Sequence, residues 1–122
     1  MNTALFWRMN TAANQPDGPT GEKHVPVIKI EGKCEKGSKV KVHVSVGEGK
    51  HPNLNEHHIQ WVELLCNDLY IGRAEFAAVI MNPEVTFEMV CPGGDCAISA
   101  IARCNLHGLW KGVLPAGTGC CG

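Results

Sequence analysis

At 122 residues the chain is long enough for one domain with an apolar core and too short for two independent ones. Its 11 Lys and Arg nearly balance its 12 Asp and Glu, so no overall field favours nucleic acid or an acidic membrane surface, and electrostatic steering has to be local. Seven cysteines are many for this length, and an odd number argues against a fully paired extracellular disulfide framework. A reducing cytoplasm with thiolate ligands fits better.

Residues 1–20 read as an N-terminal arm. The apolar run from Ala4 to Trp7 is too short for a signal peptide or a membrane span, which leaves an arm that is mobile or docks through Phe6 and Trp7. Alternation dominates beyond it. VPVIKIE, residues 25–31, predicts one strand, and KVKVHVSV, residues 39–46, predicts another, with Val40, Val42, Val44 and Val46 on one face and Lys39, Lys41, His43 and Ser45 on the other. The Gly32 to Gly37 segment joins them as a hairpin turn. HHIQWVELLC, LYIGRAEFAAV, EVTFEMV and CAISAIARC follow, separated by Asn67-Asp68, Asn82-Pro83 and Pro92-Gly93-Gly94. WVELL is too short and too close to β-rich neighbours to become a helix. CAISAIARC is expected to be the last strand. Short strands with turn signals between them predict an all-β sandwich or barrel over residues 21–114. Residues 115–122 form a Gly- and Cys-rich tail.

Six histidines are present. His43 falls on the solvated face of its strand, and His58 points away from His57 by the period of two. His24, His51, His57 and His107 instead lie at element ends, where the loops at one end of a sandwich gather in space. Cys104 stands three residues before His107 in CNLHGLW. Four imidazoles and a thiolate exceed the four ligands of a structural zinc site. The same set suits iron or copper, and five ligands leave a sixth octahedral position open to a small molecule.

GEKHVPVI, HPNLNEHHIQWVEL and CNLHGLWKG, three motifs in order between Gly21 and Gly112, resemble the iron centre of superoxide reductases of the one-iron neelaredoxin type. The resemblance implies an antiparallel immunoglobulin-like β-sandwich. It implies a mononuclear non-haem iron bound equatorially by His24, His51, His57 and His107 and axially by the Cys104 thiolate. It further implies that Glu22 occupies the sixth site of the oxidised centre, and that Lys23 attracts superoxide and helps protonate the product. The reaction is then one-electron reduction of superoxide, with two protons taken up to release hydrogen peroxide. The desulforedoxin domain that some members carry is expected to be absent, since no Cys precedes Cys34. The family expectation for the electron donor is rubredoxin, and for assembly a homo-oligomer, dimer or tetramer.

A thiolate pushes electron density onto iron, but in haem enzymes that push favours breaking the oxygen–oxygen bond. Neutral imidazoles and proton delivery must therefore decide the outcome, with backbone amides around Asn105 to Gly108 tuning the sulfur.

Six cysteines have no part in that centre. Cys34 reads as a turn thiol and Cys66 as a small buried hydrophobe. CPGGDC sets Cys91 and Cys96 on either side of a tight turn, and the tail adds Cys120 and Cys121. From His107 the chain reaches at most about 45 Å to Cys120, enough to meet the hairpin. Three readings stay open: a [4Fe-4S] cluster or another metal site on these four thiolates, as in the methanoferrodoxin branch that the chain also resembles; a disulfide across the hairpin; or free thiols. The alternative to an enzyme is a metal-binding or electron-transfer protein using the same ligands without turnover. Nucleic-acid binding lacks a basic stripe and an aromatic platform, and nucleotide use lacks a phosphate-cradling Gly loop.

Overall fold

The structure, a computed structural model, describes residues 3–14, 24–33, 35–47, 51–93 and 96–114. A single-turn helix, α1 (Thr3–Phe6), precedes eight strands: β1 (Met9–Thr11), β2 (Pro26–Glu31), β3 (Lys39–Val46), β4 (Ile59–Cys66), β5 (Leu69–Glu75), β6 (Glu84–Val90), β7 (Ile98–Cys104) and β8 (Gly108–Val113). They form a five-stranded sheet in the order β1-β8-β7-β4-β5 and a three-stranded sheet in the order β2-β3-β6. Every pairing is antiparallel except β1 with β8. The all-β antiparallel sandwich expected from the alternation is the fold. Among the described residues no helix is long and apolar enough to cross a membrane.

The strands carry their own reasons. In β3 the four valines are buried, at most 3% exposed, and they face Val62, Leu64, Ala100 and Ala102 of the other sheet across one apolar core. WVELL is strand, paired on both sides by β5 and β7. Asn67 and Asp68 take φ of 53° and 63° between paired Cys66 and Leu69, the two-residue turn whose positive φ values match the right-handed twist of the strands.

Two strands lie outside the sequence expectation. CAISAIARC is not the last strand, because GLWKGV folds back on it as β8 after a three-residue turn that Gly108 closes at φ 80°. Its apolar alternation, Trp110 against Leu109 and Lys111, is short and broken by glycines. The arm docks, but not through Trp7, which is 80% exposed. Leu5 is buried, and the fully buried Asn10 donates from Nδ2 to the carbonyls of Leu5 (2.8 Å) and Leu109 (3.0 Å), which ties β1 to β8. A Cβ on Gly108 would lie 2.8 Å from Phe6 Cα, so the arm sits directly on the turn that carries His107.

At Gly112 the backbone of β8 lies against Pro26 of the other sheet. A Cβ there would overlap the carbonyl oxygen of Pro26, which is backbone and has little room to move. Gly112→Ala is expected to destabilise the chain by about 1–3 kcal/mol, as over-packing does, read as a lower thermal midpoint. At Gly72 a Cβ would make an ordinary 3.5 Å contact with the Phe87 ring, so Gly72→Ala should stay within about 0.5 kcal/mol.

Candidate metal centre

Three segments meet at one end of the sandwich. His24 lies just before β2, His51 and His57 lie in the connection from β3 to β4, and Cys104 and His107 bracket the β7–β8 turn. One ligand atom from each of His24, His51, His57 and Cys104 falls within 4.8 Å of all the others. His107 joins them, its Nδ1 being 3.1 Å from His24 Nε2 and 3.8 Å from Cys104 Sγ.

The four rings form a square. Neighbouring centroids are 4.5 Å apart for His24 and His51, 4.8 Å for His51 and His57, 5.1 Å for His57 and His107, and 4.8 Å for His107 and His24. The diagonal from His24 to His57 is longer, 6.1 Å. Neighbouring rings stand edge to face, at 70° to 87°, like the blades of a pinwheel. His24 Nε2 meets both His51 Nε2, at 3.0 Å, and His107 Nδ1. One ring nitrogen offers a single hydrogen or a single lone pair, so it cannot serve both partners well by hydrogen bonding. A shared cation can: metal–nitrogen bonds of about 2.1 Å at a right angle leave the nitrogens about 3.0 Å apart. With four imidazoles in a ring and a buried cysteine thiol within reach of them, the donor set fits one redox-active transition ion such as iron.

Burial favours the neutral imidazole at His51 and His107 and the protonated thiol at Cys104. His51 is 2% exposed. Burial drives its pKa from 6.5 down to about 4 against the opposing pull of the Pro52 carbonyl, which lies 2.6 Å from Nδ1. Burial also lowers His107. It raises the Cys104 thiol, while the backbone amides of His107 and Leu106 act in the other direction. Those two amides are the donors expected near the sulfur, and a bound cation completes the ionisation.

The His51 shift has a measurable sign. Between its ordinary pKa of 6.5 and about 4, the unfolded chain holds a proton that the folded chain rejects, so stability of the metal-free protein falls as pH drops through that window. Thermal melts at about pH 7 and about pH 5 should show the lower midpoint at acid pH, with a smaller gap in His51→Gln.

Neighbouring groups fix the ligands, and none of these was singled out from sequence. The buried Trp110 stacks on His24 at 4.8 Å and 27°, and its Nε1 donates to the His107 carbonyl at 3.1 Å. Asn53 pins the ligand-bearing loop to the 79–81 turn: Oδ1 accepts the Val79 N–H at 2.8 Å, and Nδ2 donates to Met81 O at 3.0 Å. These bonds hold Val79 at φ 69°, unusual for a β-branched residue. The signals were available, since Trp110 closes CNLHGLW and Asn53 stands in HPNLNEHH, but their partners are remote in sequence. His43, on the outer face, bonds Glu31 and Thr86, each at 2.8 Å, and His58 turns to the Leu54 carbonyl at 3.2 Å.

Glu22, Lys23, Cys34, Cys120 and Cys121 lie outside the described residues. Cys91 is buried and disulfide-bonded. Cys96, also buried, is in no disulfide. The bridge across the CPGGDC hairpin is therefore not made. Cys66 is half-buried against the core, as a small apolar side chain would be.

Over residues 17–113 the chain matches the family model described as Desulfoferrodoxin. It is similar to the superoxide reductase of Pyrococcus horikoshii, at 41% identity over 75% of this chain and 84% of the relative. Among solved structures it is similar to the superoxide reductase (neelaredoxin) from Ignicoccus hospitalis, with a TM-score of 0.75 and 29% identity over 93% of this chain and 95% of that one. It is also similar to the superoxide reductase from Nanoarchaeum equitans, with a TM-score of 0.65 and 36% identity over 76% and 92%. Sandwich, ligand square and relatives agree: the chain belongs to the desulfoferrodoxin family, among its neelaredoxin-type superoxide reductases.

Proposed function

We propose that the chain reduces superoxide to hydrogen peroxide at a mononuclear non-haem iron that His24, His51, His57, His107 and Cys104 would hold. The observation that carries this is the pinwheel of four imidazoles gathered with a fully buried cysteine. Iron held there supplies the single electron, and two protons complete the peroxide.

The chain's own residues do the rest. His51, kept neutral by burial, offers a lone pair at any pH above about 4. Cys104, screened from solvent and touched by two backbone amides, presents a sulfur whose donation is moderated by those amides. Glu22 and Lys23 directly precede His24 in the chain. Lys23 adds local positive potential that draws in a small anion, and its ammonium is a proton source. Glu22 is the carboxylate that would bind an iron held there when substrate is absent.

The electron comes from a donor protein of the rubredoxin kind. The protein works as a homo-oligomer; Leu69 and Tyr70, 71% and 62% exposed on the edge strand β5, are the sort of surface on which a second copy pairs. A reducing compartment such as the cytoplasm suits a Cys104 thiolate that would ligate iron. A [4Fe-4S] cluster on Cys91, Cys96, Cys120 and Cys121 finds no support here, with Cys91 in a disulfide.

Anaerobic purification with iron and sulfide analysis, followed by pulse radiolysis, tests the proposal. One iron per chain, no inorganic sulfide, and an absorption band from thiolate to ferric iron that appears as superoxide is consumed are expected. A zinc-filled, spectroscopically silent site would instead indicate a non-catalytic metal protein. Lys23→Ala should slow the superoxide encounter by about tenfold and flatten its ionic-strength dependence. An unchanged rate would remove the steering role.

A further inference from the structure

We propose that Asn105 is a positioning residue that locks the His57 ligand to the Cys104 ligand, and so sets how tightly the centre holds its metal and how strongly the sulfur donates. This rests on the ligand set proposed above. Asn105 follows Cys104 directly in the chain, and its side chain reaches across to the His57 segment. Oδ1 accepts the His58 N–H at 2.9 Å, and Nδ2 donates to the Glu56 carbonyl at 3.0 Å. Its backbone N–H donates to the His58 carbonyl at 3.1 Å. The peptide units on both sides of His57 are thus held by the residue next to the axial cysteine.

The sheet alone does not do this. The β4–β7 ladder ends at the pair Ile59 and Cys104, beside an irregularity in register between Ile59 and Trp61. His57 lies beyond that last rung, in a tight turn where it exchanges backbone hydrogen bonds with Leu54 at 2.8 and 3.1 Å. The Asn105 amide acts as one further rung made from a side chain. It offers one acceptor and two donor hydrogens at the right reach, whereas Asp would set a carboxylate oxygen against the Glu56 carbonyl, and Ala would release both peptides. The bond from the Asn105 N–H to His58 also leaves the next two amides, Leu106 and His107, as those that meet the sulfur.

Asn105→Ala and Asn105→Asp in the full, iron-loaded chain test the assignment by three readouts besides turnover. The rate of iron loss to a chelator should rise about 10- to 100-fold in Asn105→Ala, the range for groups that orient metal ligands. The thiolate-to-ferric band should shift in energy. In the metal-free chain, exchange of the His58 amide hydrogen should quicken. Asn105→Asp keeps the acceptor for the His58 N–H but repels the Glu56 carbonyl, and it too should lose iron faster than wild type; it carries the same readouts if Asn105→Ala does not fold. Iron loss and band position unchanged in both variants, even with a lower melting temperature, would reduce Asn105 to a structural residue and overturn the proposal. A wild-type chain that binds iron without the thiolate band would instead overturn the ligand set, and the positioning role with it.

Discussion

Cys104→Ser should abolish the thiolate-to-ferric absorption band and lower the rate of superoxide reduction by at least about 100-fold, the upper range seen when even an outer group of a metal site is lost. Cys104 is the last residue of β7, is completely buried, and sits between the Ile59 and Gly108 pairings. Its thiol pKa is raised by burial more than the amides of His107 and Leu106 lower it, so a thiolate exists here in quantity only beside a cation. A serine hydroxyl in the same place is far harder to ionise and gives a harder, shorter-reaching donor. It fits the same space but buries a hydroxyl, so the metal-free fold should lose about 1–3 kcal/mol at most, and the thermal midpoint of the metal-free variant separates loss of the ligand from loss of the structure. Pulse radiolysis of the iron-loaded variant, with iron content measured alongside, decides the matter. Wild-type kinetics in a fully loaded variant would mean that the sulfur is not a ligand and that the four imidazoles act alone.

That such a centre was legible in the chain follows from where its ligands lie. His24, His51, His57 and His107 stand at the ends of strands whose alternation is plain, above all in β3, so placing the strands also gathered the histidines. The same period of two separated His57 from His58 and set His43 on the outer face, where it bonds Glu31 and Thr86. Less was readable where folding depends on backbone or on single polar contacts. β1 is three residues long and pairs in parallel with β8, a contact held by the buried Asn10, and nothing in an asparagine marks it as an anchor. β8 is interrupted by glycines at 108 and 112 because Phe6 and Pro26 press on the backbone there, which weakened the very pattern that would have revealed it. The cysteine pair of CPGGDC shows the limit of local spacing. Two cysteines across a turn can bridge, but Cys91 is bonded elsewhere than to Cys96.

Trp110→Ala should cost about 3–5 kcal/mol, the usual price of emptying a buried aromatic site, and lower the thermal midpoint of the metal-free chain by at least about 10 °C. Trp110 is fully buried in β8, between Asn10 of the arm and Ala102 of β7, so its removal opens a void under three strands at once. It also withdraws the surface on which His24 stacks and the donor that holds the His107 carbonyl. Two neighbouring ligands, His24 just before β2 and His107 just before β8, thereby lose one shared support. Trp110→Phe separates the two contributions. It keeps a ring under His24 but removes the indole N–H, and so should cost less in stability while leaving the His107 carbonyl without its donor, at about 1–3 kcal/mol for a buried group. If His24 is held mainly by stacking, Trp110→Phe retains iron nearly as well as wild type and Trp110→Ala loses it. Equal iron loss in both variants would place the constraint on the His107 turn instead. Iron retention against a chelator, measured on both variants below their melting temperatures, distinguishes the two.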